Sequence, residues 1–302
     1  MWIYLGIGSA FFLGLYDISK KHAVSDNAVL PVLFFSTLAG ALLMVPGIVL
    51  SRYAPGLSMR WGIHVPEPTL VQHRFIFVKA LIVSTAWGLT FFGLKHLPIS
   101  IAAPIAASGP IWTLIGALVL FHEELGALQW VGMAVSLAAY GAFQTVGQKE
   151  GISFHKNSRV LFVVLGTVIN AASALYDKFL IQTLGIAPNA VQAWFMAYMV
   201  PVFGLEAAVF HACRGRLGRK ETLVWRPSIP LAGALLIAAD SIYFRALRCP
   251  GSLIALLTML RRSSVVLAFV LGGRLFREVR LKEKALALAG ILLGIVMILL
   301  SP

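Results

Sequence analysis

Charge is what this sequence has least of. Asp, Glu, Lys and Arg make up 12% of its 302 residues, whereas a soluble domain carries about 25%. So few charges do not solvate a folded surface of this size, and the surface must face lipid. The 59% hydrophobic content and the mean hydropathy of +0.86 agree. Acidic residues are scarcest: 12 Asp and Glu stand against 25 Lys and Arg, for a formal net charge of +13. That excess does not point to nucleic acid. The basic residues fall in short polar gaps between apolar runs, and no basic stripe interleaves with a solvated fold. Cysteine is nearly absent. Cys213 and Cys249 form no CxxC motif and no metal-ligand spacing, so neither a disulfide framework nor a metal site is expected. GxSxG, Walker A, GxGxxG and HExxH motifs are missing, and His122-Glu123 lacks the second histidine of a zinc-protease helix. Enzyme activity and catalytic residues are not expected.

Long apolar runs are what the chain does have. A membrane-spanning helix needs about 20 largely apolar residues. Runs near that length predict ten helices at 2–24, 28–50, 75–95, 97–120, 127–146, 159–181, 190–212, 228–246, 250–274 and 284–300. The first is the weakest, because Asp17, Lys20 and Lys21 interrupt its last third. No basic stretch precedes it, so it reads as a retained helix and not a signal peptide. The longest gap is Ser51–Arg74. A β-barrel would instead show segments of about ten residues with strict alternation.

The chain also repeats itself. Leu15-Tyr16-Asp17 recurs as Leu175-Tyr176-Asp177, and Asn27-Ala28-Val29 as Asn189-Ala190-Val191. Phe92 and Pro98-x-Ser100 recur as Phe244 and Pro250-x-Ser252. Leu120-Phe121-His122-Glu123 recurs as Leu275-Phe276-Arg277-Glu278, and Gly132-x-x-x-Ser136 as Gly290-x-x-x-Gly294. The matches keep one order, with separations between 152 and 162 positions. They divide the chain into five-span repeats at 1–148 and 149–302. An odd span count inverts the second repeat relative to the first, an architecture of secondary transporters with a solute site near the midplane.

With these features the sequence resembles the EamA family of the drug/metabolite transporter superfamily. The resemblance covers nearly the whole chain. It rests on the two five-span halves and on the spans ending in Leu120-x-x-Glu123 and Leu275-x-x-Glu278, each followed by a glycine-containing span (Gly132, Gly290). The family's usual Leu-Gly-Glu triplet is here Phe-His-Glu and Phe-Arg-Glu. The resemblance implies export or exchange of small metabolites across the cell (inner) membrane, with no cofactor and no ATP site.

Ionisable residues inside spans are costly, which makes them functional candidates. Arg261 and Arg262 fall near the middle of the ninth span and need anionic partners. A substrate phosphate or carboxylate is one source, and a guanidinium fits it in bidentate geometry. Asp240, in the preceding span where the first half has Gly88, is the other; a third reading cuts the span short and puts the pair at an interface. Tyr16-Asp17 and Tyr176-Asp177 are either brought by the repeat to equivalent places beside a central cavity or mark helix ends at the membrane interface, where Tyr is enriched. Asp17 has Lys20 and Lys21 one turn away to neutralise it. Asp177 has only Lys178, on another face, and is the stronger candidate for proton coupling or an amine contact. Lys79 lies near a span end, where snorkelling accounts for it. Gly6-x-x-x-Ala10-x-x-x-Gly14 and Gly290-x-x-x-Gly294 read as close helix packing, the latter within the bundle or across a homodimer.

The expected protein is an all-α secondary transporter of a small organic solute with an anionic group, proton-coupled, and either monomeric or homodimeric. A lipid-linked carrier flippase, a non-transporting scaffold and an intramembrane enzyme are the competing readings. Orientation draws two opposed answers. The resemblance implies cytoplasmic termini. The gaps holding Lys149, Arg214 and Lys282, richer in Lys and Arg than those holding Arg52 and Arg248, place both termini outside.

Overall fold

The computed structural model describes residues 1–96, 108–148, 158–213 and 222–264, with 267, 289–290, 292–294, 296–297 and 300. The described residues are helices joined by short turns. In chain order these are α1 Trp2–Val24, α2 Val29–Tyr53, the short α3 Pro55–Arg60, α4 Leu70–His96, α5 Gly109–Phe121 and α6 Ala127–Gln148. Then follow α7 Ser158–Lys178, α8 Pro188–Cys213, α9 Ser228–Arg248 and α10 Ile254–Arg262. Among the described residues, 6 helices are long and apolar enough to cross a membrane: α1, α2, α4, α7 with its continuation, α8 and α9. With an apolar surface of this kind, the chain is a multi-pass membrane protein.

Several run boundaries fall close to the helices. The α4 helix starts at Leu70, five positions before the expected span, and the long gap holds α3. Residues 97–107 of the fourth expected span, most of the ninth beyond 264, and most of the tenth lie outside the described residues. The charged last third of α1 does not break it: Lys20 Nζ donates to Asp17 Oδ1 at 2.9 Å on the same helix face.

The helices interleave across the midpoint of the chain. The α1 helix packs on α9 and α10, α4 on α7 and α8, α2 on α8 and α9, and α5 on α7 and α10. Small residues set the closest crossings. A Cβ on Gly233 of α9 would meet the backbone of Ser36 and Gly40 on α2, so only glycine allows that approach. Gly6 and Gly14 face Leu257, Leu260 and Ser264, as expected of packing positions. This also shows that α1 and α10 run in the same direction. Gly290 and Gly294 lie against Ala139 and Ser136 of α6, which gives both a contact inside the bundle. Leu33, Ile76, Leu180, Met196, Phe203, Leu247 and Ile254 are fully buried. Tyr4, Phe11, Leu42, Leu43, Val119 and Leu205 point outward, which suits a lipid-facing surface.

Candidate solute-binding site

Polar residues buried in apolar helices must find partners, because an unpaired buried charge is far costlier than a paired one. In this chain they find one another around a central cavity of about 230 Å³. Its wall draws on α1 (Tyr16, Asp17, Lys20), α4 (Lys79, Trp87, Phe91) and α7 (Thr167, Asn170, Asp177). It is completed by α9 (Asp240, Tyr243) and α10 (Thr258, Arg261, Arg262). Lys79 and Asp177 meet at one level and Lys20 lies over the Phe91 ring at another, 5.4 Å from its centroid. The distance from Lys79 to Phe91 along α4 is about 18 Å at the α-helical rise.

Among the described residues, ion pairs of Arg261, Lys20 and Lys79 line this space. Arg261 Nη2 donates to Asp240 Oδ1 at 2.7 Å, with both side chains 14% exposed. Of the two anion sources open for the arginine pair, the protein's own carboxylate is engaged in this state. The Arg261 guanidinium also stacks on the Tyr243 ring at 4.2 Å, and its Nε is buried without a hydrogen bond among the described residues. Arg262 reaches the backbone of α5 at Gly109. Asp17 is held by Lys20, as its spacing implied.

Asp177 corrects the sequence reading. It is ion-paired with Lys79 from α4, and both are buried. Lys79 therefore does not snorkel. Its ammonium sits over the Phe195 and Phe244 rings, 4.6 and 5.2 Å from their centroids, where carboxylate and aromatic faces replace water. Lys178 does point elsewhere: its Nζ donates to Glu123 Oε1 at 2.6 Å, outside the cavity.

Tyr16 and Tyr176 are not equivalent. Tyr16 lines the cavity, whereas Tyr176 lies outside the lining and donates its hydroxyl to the Phe75 carbonyl at 3.2 Å. The cavity thus gathers Tyr16, Asp17, Asp177, Asp240, Arg261 and Arg262 of the expected residues and leaves Tyr176 out. Lys20, Lys79, Thr167 and Asn170 join it without having been expected. One signal for two of them was present, since Thr167, Asn170 and Asp177 recur at helical spacing on one face of α7.

The chemistry available here is ion pairing and hydrogen bonding. No group of three or more His, Cys, Asp or Glu residues is arranged to hold a metal among the described residues. A solute carboxylate or phosphate entering the cavity would compete with Asp240 for Arg261.

The comparisons agree with this architecture. A solved crystal structure superposes with a TM-score of 0.68 over 99% of this chain and 98% of that one, at 18% identity, and so shares its fold. No curated protein matches the chain. The model of the EamA-like transporter family matches residues 1–142. That stretch, a little under half of the chain, is similar to the EamA-like transporter family.

Proposed function

We propose that the protein is a secondary active transporter that moves a small organic solute with an anionic group by alternating access. In this reading repeats 1–148 and 149–302 rock around the cavity in the cell (inner) membrane, and a carboxylate couples the movement to protons. The observation that carries it is the cavity itself, whose charged wall draws on helices from both halves.

The helix pairing supports an inverted repeat. The α1–α9 and α4–α7 contacts exchange with one another if the first, third, sixth and eighth spans are swapped by a two-fold axis, and α2–α8 and α5–α10 map onto themselves. The repeated asparagines follow the same rule. Asn27 Nδ2, at the start of α2, donates to the Val224 carbonyl in the segment before α9 at 2.7 Å. Asn189 Nδ2, at the start of α8, donates to the His64 carbonyl in the segment before α4 at 2.9 Å.

Arg261 is the residue an anionic solute would bind. Its displaced partner Asp240 would then stand without that counter-charge in a low-dielectric cavity. The cavity volume lies below the approximately 300–1,000 Å³ of ordinary small-molecule pockets, which suits a metabolite better than a lipid-linked carrier.

The test is a thermal-shift screen of the purified protein against anionic metabolites, in parallel with an Arg261→Ala/Arg262→Ala variant. A solute present at 100 times its Kd stabilises the folded protein by about 2.7 kcal/mol. Hits that vanish in the variant support the reading. A screen without hits, in which the variant is merely less stable, leaves Arg261 and Asp240 as a structural pair.

A further inference from the structure

Outside the cavity lies a second buried ionic cluster, which solute binding does not use. It starts at the left-handed turn that ends α5. His122 closes that helix at φ 50°, and the Glu123 N–H donates back to the Ala117 carbonyl at 3.3 Å. This is the position where the usual family triplet has glycine, the residue that adopts such a conformation without strain. The turn sends the Glu123 carboxylate into the bundle, where its side chain is 2% exposed.

There the carboxylate joins three segments. Lys178, the last residue of α7, donates to Oε1 at 2.6 Å. The Ile254 N–H donates to Oε1 at 2.8 Å, and the Ala255 N–H to Oε2 at 3.3 Å. These are first-turn amides of α10, whose own N-cap residue, Leu253, offers no side-chain acceptor. A carboxylate from the first half therefore caps a helix of the second while neutralising a second-half lysine. Beside it, α7 continues as a π-helical turn, Phe179–Thr183. From this turn Gln182 Nε2 donates to the Leu247 carbonyl at 2.7 Å and to Ser252 Oγ at 2.8 Å.

The position of this cluster is informative. The described cavity lining ends at Asp177 on α7 and at Thr258 on α10. Lys178 comes immediately after the first, and Ile254 lies one turn before the second. Because α1 and α10 run the same way, the cluster sits at the end of the cavity where α1 begins. At that end α7, α10 and the end of α5 are all attached to one carboxylate.

We infer that Glu123 is the latch that holds the cavity shut on the face where α1 begins, and that it releases Lys178 and α10 together when that face opens. The inference rests on the transport reading. Glu123 is a positioning residue and touches no solute. Its loss weakens an interaction made in one state only, which moves the population toward the other.

The test needs no known solute. In a Cys213→Ser/Cys249→Ser background, Thr258→Cys places a reporter thiol at this end of the cavity. A charged, membrane-impermeant maleimide is applied to sealed vesicles of each orientation. Glu123→Gln, which keeps the shape and removes the charge, is expected to raise labelling from the α1 face by about tenfold or more. Glu123→Gln/Lys178→Met removes both charges and leaves neither one unpaired, so it reads the same effect if the single variant folds poorly. Labelling from the α1 face that stays at the parental rate in both variants, whatever their melting temperatures, overturns the latch. The transport reading fails separately, through the thermal-shift screen, and leaves the labelling result intact.

Discussion

Asp17 and Asp177 follow the same Leu-Tyr pair, and their surroundings differ in almost every respect. Asp17 is paired with Lys20 on its own helix, with side chains 35% and 22% exposed. Asp177 is paired across the bundle with Lys79, with side chains 7% and 3% exposed. A local, half-wet pair contributes little to stability, because water already solvates both partners and salt screens them. A buried pair between two helices has no such alternative, so each partner depends on the other. The two copies of the motif share a sequence but not a kind of partner, and the neighbouring helix decides what each residue does.

The sharpest way to break the comparison is Asp177→Ala. It strands the Lys79 charge among Phe195 and Phe244 and is expected to cost about 3–5 kcal/mol, read as a drop in unfolding temperature in detergent. If Asp177→Ala and Asp17→Ala cost the same, the buried assignment is wrong. Next comes the double change Lys79→Met/Asp177→Leu. Removing both charges together is expected to be neutral or to stabilise by about 1–4 kcal/mol, and a solute-flux assay on that variant separates a coupling role from a structural one. Asp240→Asn should act on binding: freeing Arg261 from its carboxylate tightens an anionic ligand by about tenfold, or roughly 1.4 kcal/mol, in a calorimetric titration. The smallest effect belongs to Asp17→Ala, within about 1 kcal/mol, and high salt should erase most of it.

Much of this was legible in the sequence. Run lengths placed most of the described long helices, because burial in lipid demands a continuous apolar stretch whatever the neighbours are. The cavity was legible where an ionisable residue stood inside a run, as with Asp177, Asp240 and Arg261. What could not be read was pairing. Lys79 lies near a span end in sequence, and nothing local says that α7 brings Asp177 to it from 98 positions away. The same holds for Glu123, which reads as a span terminator until α10 arrives 131 positions later. Tyr176 stands apart from the cavity for a related reason: the triplet fixes its phase on α7, but its hydroxyl donates to the Phe75 carbonyl of α4.

The capping of α10 by Glu123 has a consequence for how the chain is made. Synthesis delivers Glu123 well before Lys178 and Ile254, so its carboxylate has neither partner until the second half has been inserted. Of the Glu123–Lys178 pair, the first half on its own then carries the acid without its base and the second the base without its acid. Two fragments produced from separate messages should each be short-lived in the membrane, and co-production should rescue both.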